Sequence, residues 1–306
     1  MTVLQETLAE RVARCLGQRL LAWRPVTRGY TTASRLIVTC ADGTSVFVKG
    51  ATDTRTATWL RTEHSVYSQV QASFLPTMRA WADDGSSPFL VLEDLNEAVW
   101  QAPWTMARIG QVLNTLREVA ATRAPTCLPS LEERRSSLSG WARVEREPEV
   151  FLRVGLCSPA WLDHSINTLM TAEASTGLAG DDLVHGDVRS DNLCFVRDRV
   201  VLVDWNWACR GNGIIDLAGW LPSLHLEGGP RPDTVLPEQP HLAAVISGYF
   251  AARAGLPVEQ ASQEIRALQR AQLQVALAWA VRALRLPPLE ARDARAASNQ
   301  GMEPAP

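Results

Sequence analysis

An aspartate, an asparagine five residues further on and a second aspartate seventeen residues after the first fall within one short stretch of this 306-residue chain. The stretch reads LVHGDVRSDN from Leu183 to Asn192, then LCFVRDRVVLVDW up to Trp205. Ionisable groups this dense, set against apolar runs, are too costly to bury one by one. A loop that turns Asp187 and Asn192 to one side, followed by a hairpin that returns Asp204 opposite them, lets the three converge. The two apolar runs flank Arg197, Asp198 and Arg199, the pattern of such a hairpin.

Three oxygen donors without cysteine or a set of histidines suit a hard cation such as magnesium. A metal bridging phosphates is what phosphoryl transfer requires, because negative charge spreads over the transferring group. In that arrangement Asn192 and Asp204 are the metal ligands and Asp187 accepts the proton of an attacking hydroxyl. Any one aspartate alone could simply cap a helix or close a turn. The H-G-D-x-x-x-x-N spacing, followed by an aspartate that ends an apolar strand, is far more specific.

The flanking chain frames this segment as an α+β fold. RLIVTC and TSVFVK are β-branched runs separated by Ala41, Asp42 and Gly43, which predicts an antiparallel hairpin. A helix is expected over roughly 55–72, and PFLVLEDL reads as a short buried strand. From Trp104 onward the pattern is mostly helical, ending in a buried helix from Pro257 to about Leu286 with Ile265, Leu268, Val275 and Trp279 at helical spacing. The expected division is a nucleotide-binding lobe over 1–95, a helical lobe over 96–290 and a flexible tail over 291–306.

Composition removes several classes of function. A net charge of −3 offers no surface for a polyanion, so nucleic acid is not an expected partner. The longest apolar stretch, Val275 to Val281, is too short for a bilayer, and no membrane association is expected. The opening residues carry Glu6 and Glu10 rather than a secretion signal, and six cysteines lie without a CxxC pair, so a cytoplasmic protein with reduced thiols is expected. Of 30 lysine and arginine residues, Lys49 is the only lysine, which hints at a place where arginine will not serve.

HGDVRSDN together with LVDWNW resembles the catalytic loop and metal-binding segment of the aminoglycoside phosphotransferase and choline kinase-like family, distant relatives of the protein kinases. The likeness runs from about Arg28 to Trp220 and implies a bilobal protein kinase-like fold with the active site in the cleft between the lobes. It further implies a phosphotransferase that uses ATP or GTP with Mg2+ and a small-molecule hydroxyl acceptor. Lys49 ends a strand where such folds place the lysine that holds the α- and β-phosphates. Trp59, Glu63, Val66 and Val70 share one face of the following helix, so Glu63 is the expected ion-pair partner that aims Lys49.

By the same resemblance, VTRGYTTAS would cover the phosphates, with Gly29 allowing close approach and Thr31 and Thr32 offering hydroxyls, although relatives commonly carry paired glycines there. Glu93 and Leu95 would hold adenine through their backbone. Arg189 would stabilise γ-phosphate charge, while His185 and Asp216 would support the loop. Trp205, Trp207 and Trp220 could stack on an acceptor such as a sugar or quaternary ammonium. Relatives act on antibiotics, amino alcohols and sugars, so resistance and metabolism are both open. Between His225 and Glu290 acidic residues and arginines balance, which weakens the case for a polycationic aminoglycoside. The alternative from another class is a nucleotide-binding regulator that has lost catalysis; the intact Lys49, Glu63, Asp187, Asn192 and Asp204 argue against it. A metal-dependent phosphoesterase would need more histidines, and no activation segment of a protein kinase lies between Asp204 and Asp216.

Overall fold

The structure is a computed structural model describing residues 2–27, 31–101, 103–257 and 263–289. Its first part runs α1 (Thr2–Leu16), β1 (Leu20–Pro25), β2 (Ser34–Cys40), β3 (Ser45–Gly50), α2 (Thr54–Gln69), β4 (Met78–Ala82), β5 (Phe89–Glu93), β6 (Val99–Trp100) and α3 (Met106–Ala121). Short helices α4 (Arg135–Leu138), α5 (Trp141–Arg146) and α6 (Pro148–Leu152) precede α7 (Pro159–Ala174). Strands β7 (Asp182–Val184), β8 (Leu193–Val196), β9 (Arg199–Leu202) and β10 (Cys209–Gly211) follow, then α8 (Ile214–Leu226), α9 (Pro232–Val235), α10 (Pro240–Ala254) and α11 (Gln263–Ala283).

Five antiparallel strands form one sheet in the order β1-β2-β3-β5-β4. The β2–β3 hairpin turns at Asp42 and Gly43, as its sequence predicts, and pairs Thr39 with Ser45 through Arg35 with Lys49. Alternation gives the sheet two distinct faces. Leu36, Val38, Cys40, Val46, Val48, Phe89 and Val91 bury one face against Leu8 and Val12 of α1. Arg35, Ile37, Phe47 and Lys49 therefore point to the other. Helix α2 begins with a capping box, Asp53 accepting from Thr56 N while the Thr56 hydroxyl receives Asp53 N.

Chain contacts part into two compact units, Met1–Glu133 with Leu178–Trp220, and Arg134–Gly177 with Leu221–Pro306. The expected boundary at residue 95 falls inside the first unit, because the β8–β9 hairpin returns to the sheet-bearing segment. Leu202 N donates to Phe74 O at 2.8 Å, Arg199 donates to Glu93 Oε1 at 2.7 Å, and β6 pairs with β8. Every described residue of the expected phosphate and metal site lies in this unit. The tail over 291–306 lies outside the described residues.

The second unit is helical and centres on a buried carboxylate. Glu173, 2% exposed, accepts N–H bonds from Gly140 at 2.8 Å and Trp141 at 3.1 Å. The Trp141 indole N–H donates onward to Ala244 O. Gly140 is obligatory here, since a Cβ would sit 1.7 Å from Gly248 O. Along α11, Leu273, Ala276, Leu277 and Ala280 are fully buried with Trp279, whereas Ile265, Leu268 and Val275 are half-buried. Apolar side chains surround much of this helix, so spacing alone left its rotation open. No helix among the described residues is long and apolar enough to cross a membrane, and all six cysteines are free.

Candidate active site

Strand β3 delivers Lys49 to the face opposite α1, where its Nζ meets two carboxylates at once. Glu63 Oε1 lies 2.5 Å away, and Asp204 Oδ1, from a residue 155 positions later, also lies at 2.5 Å. Lys49 is 6% and Glu63 1% exposed, so the expected inward-facing glutamate is paired as its cost requires. Burial alone would lower the Lys49 pKa, but Glu63 and Asp204 outweigh it and the net shift is upward. Burial raises Glu63 to about 7 despite Lys49. Asp204 moves the other way: burial would raise its pKa, and the ammonium and its hydrogen bond pull it below the usual range.

The loop from His185 to Asn192 is built to present Asp187. Asn192 Nδ2 donates to Asp187 O at 2.8 Å and to Asp187 Oδ2 at 3.0 Å, which fixes the carboxylate. Val203 N donates to Asn192 O at 2.9 Å, and His185 Nε2 bonds Val203 O at 2.9 Å. Asp204, the next residue, is thereby carried beside the loop. His185 Nδ1 accepts from Asp187 N at 3.2 Å, which puts the ring proton on Nε2. Burial lowers the His185 pKa, so this imidazole is a neutral strut. Asp216 completes the support, its two oxygens accepting from His185 N at 2.6 Å and Gly186 N at 2.8 Å.

Two backbone conformations mark the site. Gly186 has φ 81, and a Cβ there would meet Trp207 O at 2.9 Å, so only glycine fits. Asp204 adopts φ 67 and ψ 53 immediately before a 3-10 turn over Trp205–Trp207. A left-handed non-glycine residue is strained and persists where its surroundings hold it; here Lys49 and the Val203 bonds do so. Burial raises the Asp187 pKa, more than Arg189 lowers it.

Donor chemistry at this point fits a hard cation. Both hydrogen bonds of the Asn192 amide use Nδ2, which leaves Oδ1 for another partner, and Asp204 contributes Oδ1 to Lys49, which leaves Oδ2. Among the described residues no group of three or more His, Cys, Asp and Glu side chains could hold a metal by itself. One carboxylate and one amide, with waters and phosphates completing the shell, is a magnesium-type donor set.

Other expected residues have mixed fates. Arg189 Nη2 bonds Asp191 at 2.8 Å while its Nε lies 3.6 Å from Asp187 Oδ1. Gly29 lies outside the described residues. The hydroxyls of Thr31 and Thr32 are engaged within the chain, Thr31 Oγ1 accepting from Arg35 and Thr32 Oγ1 donating to Asp53. The Leu95 carbonyl takes Ala98 N and the Trp100 indole N–H. The Glu93 side chain ties β5 to Arg199 and Thr77 N. Trp205 and Trp220 are 0% exposed and cannot stack on an acceptor: Trp205 bonds Leu202 O and lies against the His185 ring, and Trp220 meets Trp104 edge-on. Trp207 is 46% exposed and lies 5.9 Å from the Trp59 ring.

Sequence reasoning missed Arg35, Ile37 and Phe47, which share the Lys49 face. Counting back across the Asp42-Gly43 turn pairs residue 35 with residue 49 and would have found them.

Solved structures similar to this chain agree on the architecture. A macrolide 2'-phosphotransferase type I aligns with TM-score 0.56 at 18% identity, covering 89% of this chain and 97% of that one. Spectinomycin phosphotransferase, solved with ADP and spectinomycin, gives TM-score 0.56 at 11% identity over 89% and 97%. A choline/ethanolamine kinase family protein from Mesorhizobium loti gives 0.56 at 13% over 86% and 91%. Identities this low show the fold alone, an antiparallel sheet unit with a helical unit as in kinase-like phosphotransferases. A probable acyl-CoA dehydrogenase of Arabidopsis thaliana is 43% identical over 77 residues, which are 24% of this chain, and the chain spans only 8% of that protein. The sequence profile of the phosphotransferase enzyme family matches residues 22–254, from β1 to the end of α10, and that span holds Lys49, Glu63, the Asp187 loop, Asp204 and Asp216: the chain belongs to the phosphotransferase enzyme family.

Proposed function

We propose that this protein transfers the γ-phosphate of ATP, or of GTP, to a hydroxyl of a small molecule, with magnesium held by Asn192 and Asp204. The observation that carries the reading is the meeting of Lys49 with Glu63 and Asp204 at 2.5 Å, next to a loop whose Asp187 is oriented by Asn192. A structural ion pair would need one carboxylate for one ammonium. Two carboxylates on one buried lysine leave negative charge that a second cation would balance, and that cation in turn would hold phosphate.

Lys49 acts as a compact point charge for the α- and β-phosphates, and Glu63 aims it. Bound magnesium would neutralise phosphate charge and orient the transferred group. Asp187 accepts the proton of the attacking hydroxyl; burial moves its pKa upward, toward the range where a general base is effective. Arg189 puts positive charge beside Asp187, where it stabilises charge building on the transferred phosphoryl group. Glu93 and Leu95 offer backbone groups to the base edge, and the half-buried Ile37 and Phe47 offer an apolar platform below it. With their hydroxyls engaged within the chain, Thr31 and Thr32 shape the segment leading into β2 rather than touch phosphate. Trp207, exposed beside Gly186, is the aromatic surface for the acceptor. Macrolide and spectinomycin phosphotransferases and choline kinase-like proteins share the fold, which points to antibiotic hydroxyls and amino alcohols as the first acceptors to try.

A panel of hydroxylated antibiotics, amino alcohols and sugars, screened for acceptor-stimulated ADP release, tests this. In the wild type one acceptor class accelerates release; Asp187→Asn lowers kcat about 10²- to 10⁴-fold with nucleotide affinity unchanged. Full turnover in that variant removes Asp187 as base, and failure of the wild type to bind ATP or GTP removes the reading.

A further inference from the structure

Strand β2 carries a cation that the chemistry above does not use. Arg35 is the direct cross-strand partner of Lys49, and such partners stand side by side on one face of a sheet. Its neighbour Leu36 turns to the opposite side, into the core with Val48. Arg35 therefore shares the face on which Lys49 meets Glu63 and Asp204.

The guanidinium folds back over the chain that leads into β2. Nη1 donates to Thr31 O at 3.2 Å and Ala33 O at 3.0 Å, and Nη2 donates to Thr31 Oγ1 at 2.5 Å. From the other side, Thr32 Oγ1 donates to Asp53 at 2.9 Å and Thr32 O accepts from Thr52 Oγ1 at 3.0 Å. Residues 31–33 are thus fastened between β2 and the start of α2.

We propose that Arg35 is a positioning residue for the nucleotide's phosphates: it fastens residues 31–33 on the face that carries Lys49, where those phosphates would lie. The inference rests on the phosphotransferase reading. A planar fork serves all three acceptors on residues 31 and 33 at once, which lysine cannot do.

Titrating tryptophan fluorescence with MgATP and with AMP, for the wild type, Arg35→Gln, Arg35→Lys and Thr31→Val, tests it, with thermal melting to confirm folding. Arg35→Gln should weaken MgATP about 10- to 100-fold and leave AMP at its wild-type affinity. Arg35→Lys should regain only part of the loss. Wild-type MgATP affinity in Arg35→Gln, or equal losses for MgATP and AMP, overturns the role of Arg35 and leaves the phosphotransferase reading intact; a wild type that binds neither ATP nor GTP overturns both. Should Arg35→Gln not fold, Thr31→Val decides: a loss confined to MgATP supports the assignment, and unchanged MgATP affinity sinks it.

Discussion

Replacing Asp216 by asparagine isolates how the loop from His185 to Asn192 is held. The carboxylate accepts from His185 N at 2.6 Å and from Gly186 N at 2.8 Å, and the residue is 4% exposed. Asparagine keeps one acceptor oxygen and turns an amide donor toward the other N–H. One hydrogen bond to a charged acceptor, about 1.5–3 kcal/mol, is lost, and a buried donor is stranded at about 1–3 kcal/mol. Burial pushes the Asp216 pKa up, so discharging the group returns part of that sum. The net loss should be about 2–4 kcal/mol, less than the stability of a typical domain. Urea unfolding followed by tryptophan fluorescence measures it, since Trp205 lies 4.5 Å from the His185 ring. Because Lys49 and Glu63 sit on β3 and α2 while Asn192 lies in the braced loop, MgATP affinity should fall less than kcat, which should drop tenfold or more, roughly the effect of a displaced base. A stability loss under about 1 kcal/mol with unchanged kcat would refute the idea that this carboxylate braces the loop.

Lys49→Arg should weaken MgATP by about tenfold or more, because a broad guanidinium cannot sit between two buried carboxylates at 2.5 Å as an ammonium does; isothermal titration against the wild type measures this, and retained affinity would show that any cation suffices. Glu173 gives a pH test in the helical unit. Burial raises its pKa to about 7 from 4.5, so the folded state binds the proton more tightly than the unfolded chain. Its contribution is fully present below about pH 4.5 and is lost as pH rises toward 7, by about 3 kcal/mol. Glu173→Gln has no such proton, so the stability difference between wild type and variant should change between pH 5 and pH 8; a constant difference would contradict the assignment.

Much of the site could be read from the chain because its information is local. Asp42 and Gly43 set the β2–β3 turn, and the face shared by Glu63, Val66 and Val70 follows from helical spacing. Asp187 and Asn192 lie five residues apart on one loop, and the short hairpin after it carries Asp204 back within a few residues. The tryptophans were less legible. Trp205, Trp207 and Trp220 look alike in sequence, yet only Trp207 reaches solvent, because Trp205 packs on the His185 ring and Trp220, on α8, packs against Trp104.

Sequence by itself determined the donor types and the spacings that let a loop and a hairpin gather them, since both follow from bonds within a few residues. Tertiary structure decided which distant groups share a face: Arg35 beside Lys49 through strand register, Glu173 beneath Trp141 through helix packing, and Asp204 on an ammonium 155 residues away. Those relations depend on how whole elements settle against one another, and no local spacing records the burial that makes each pairing obligatory.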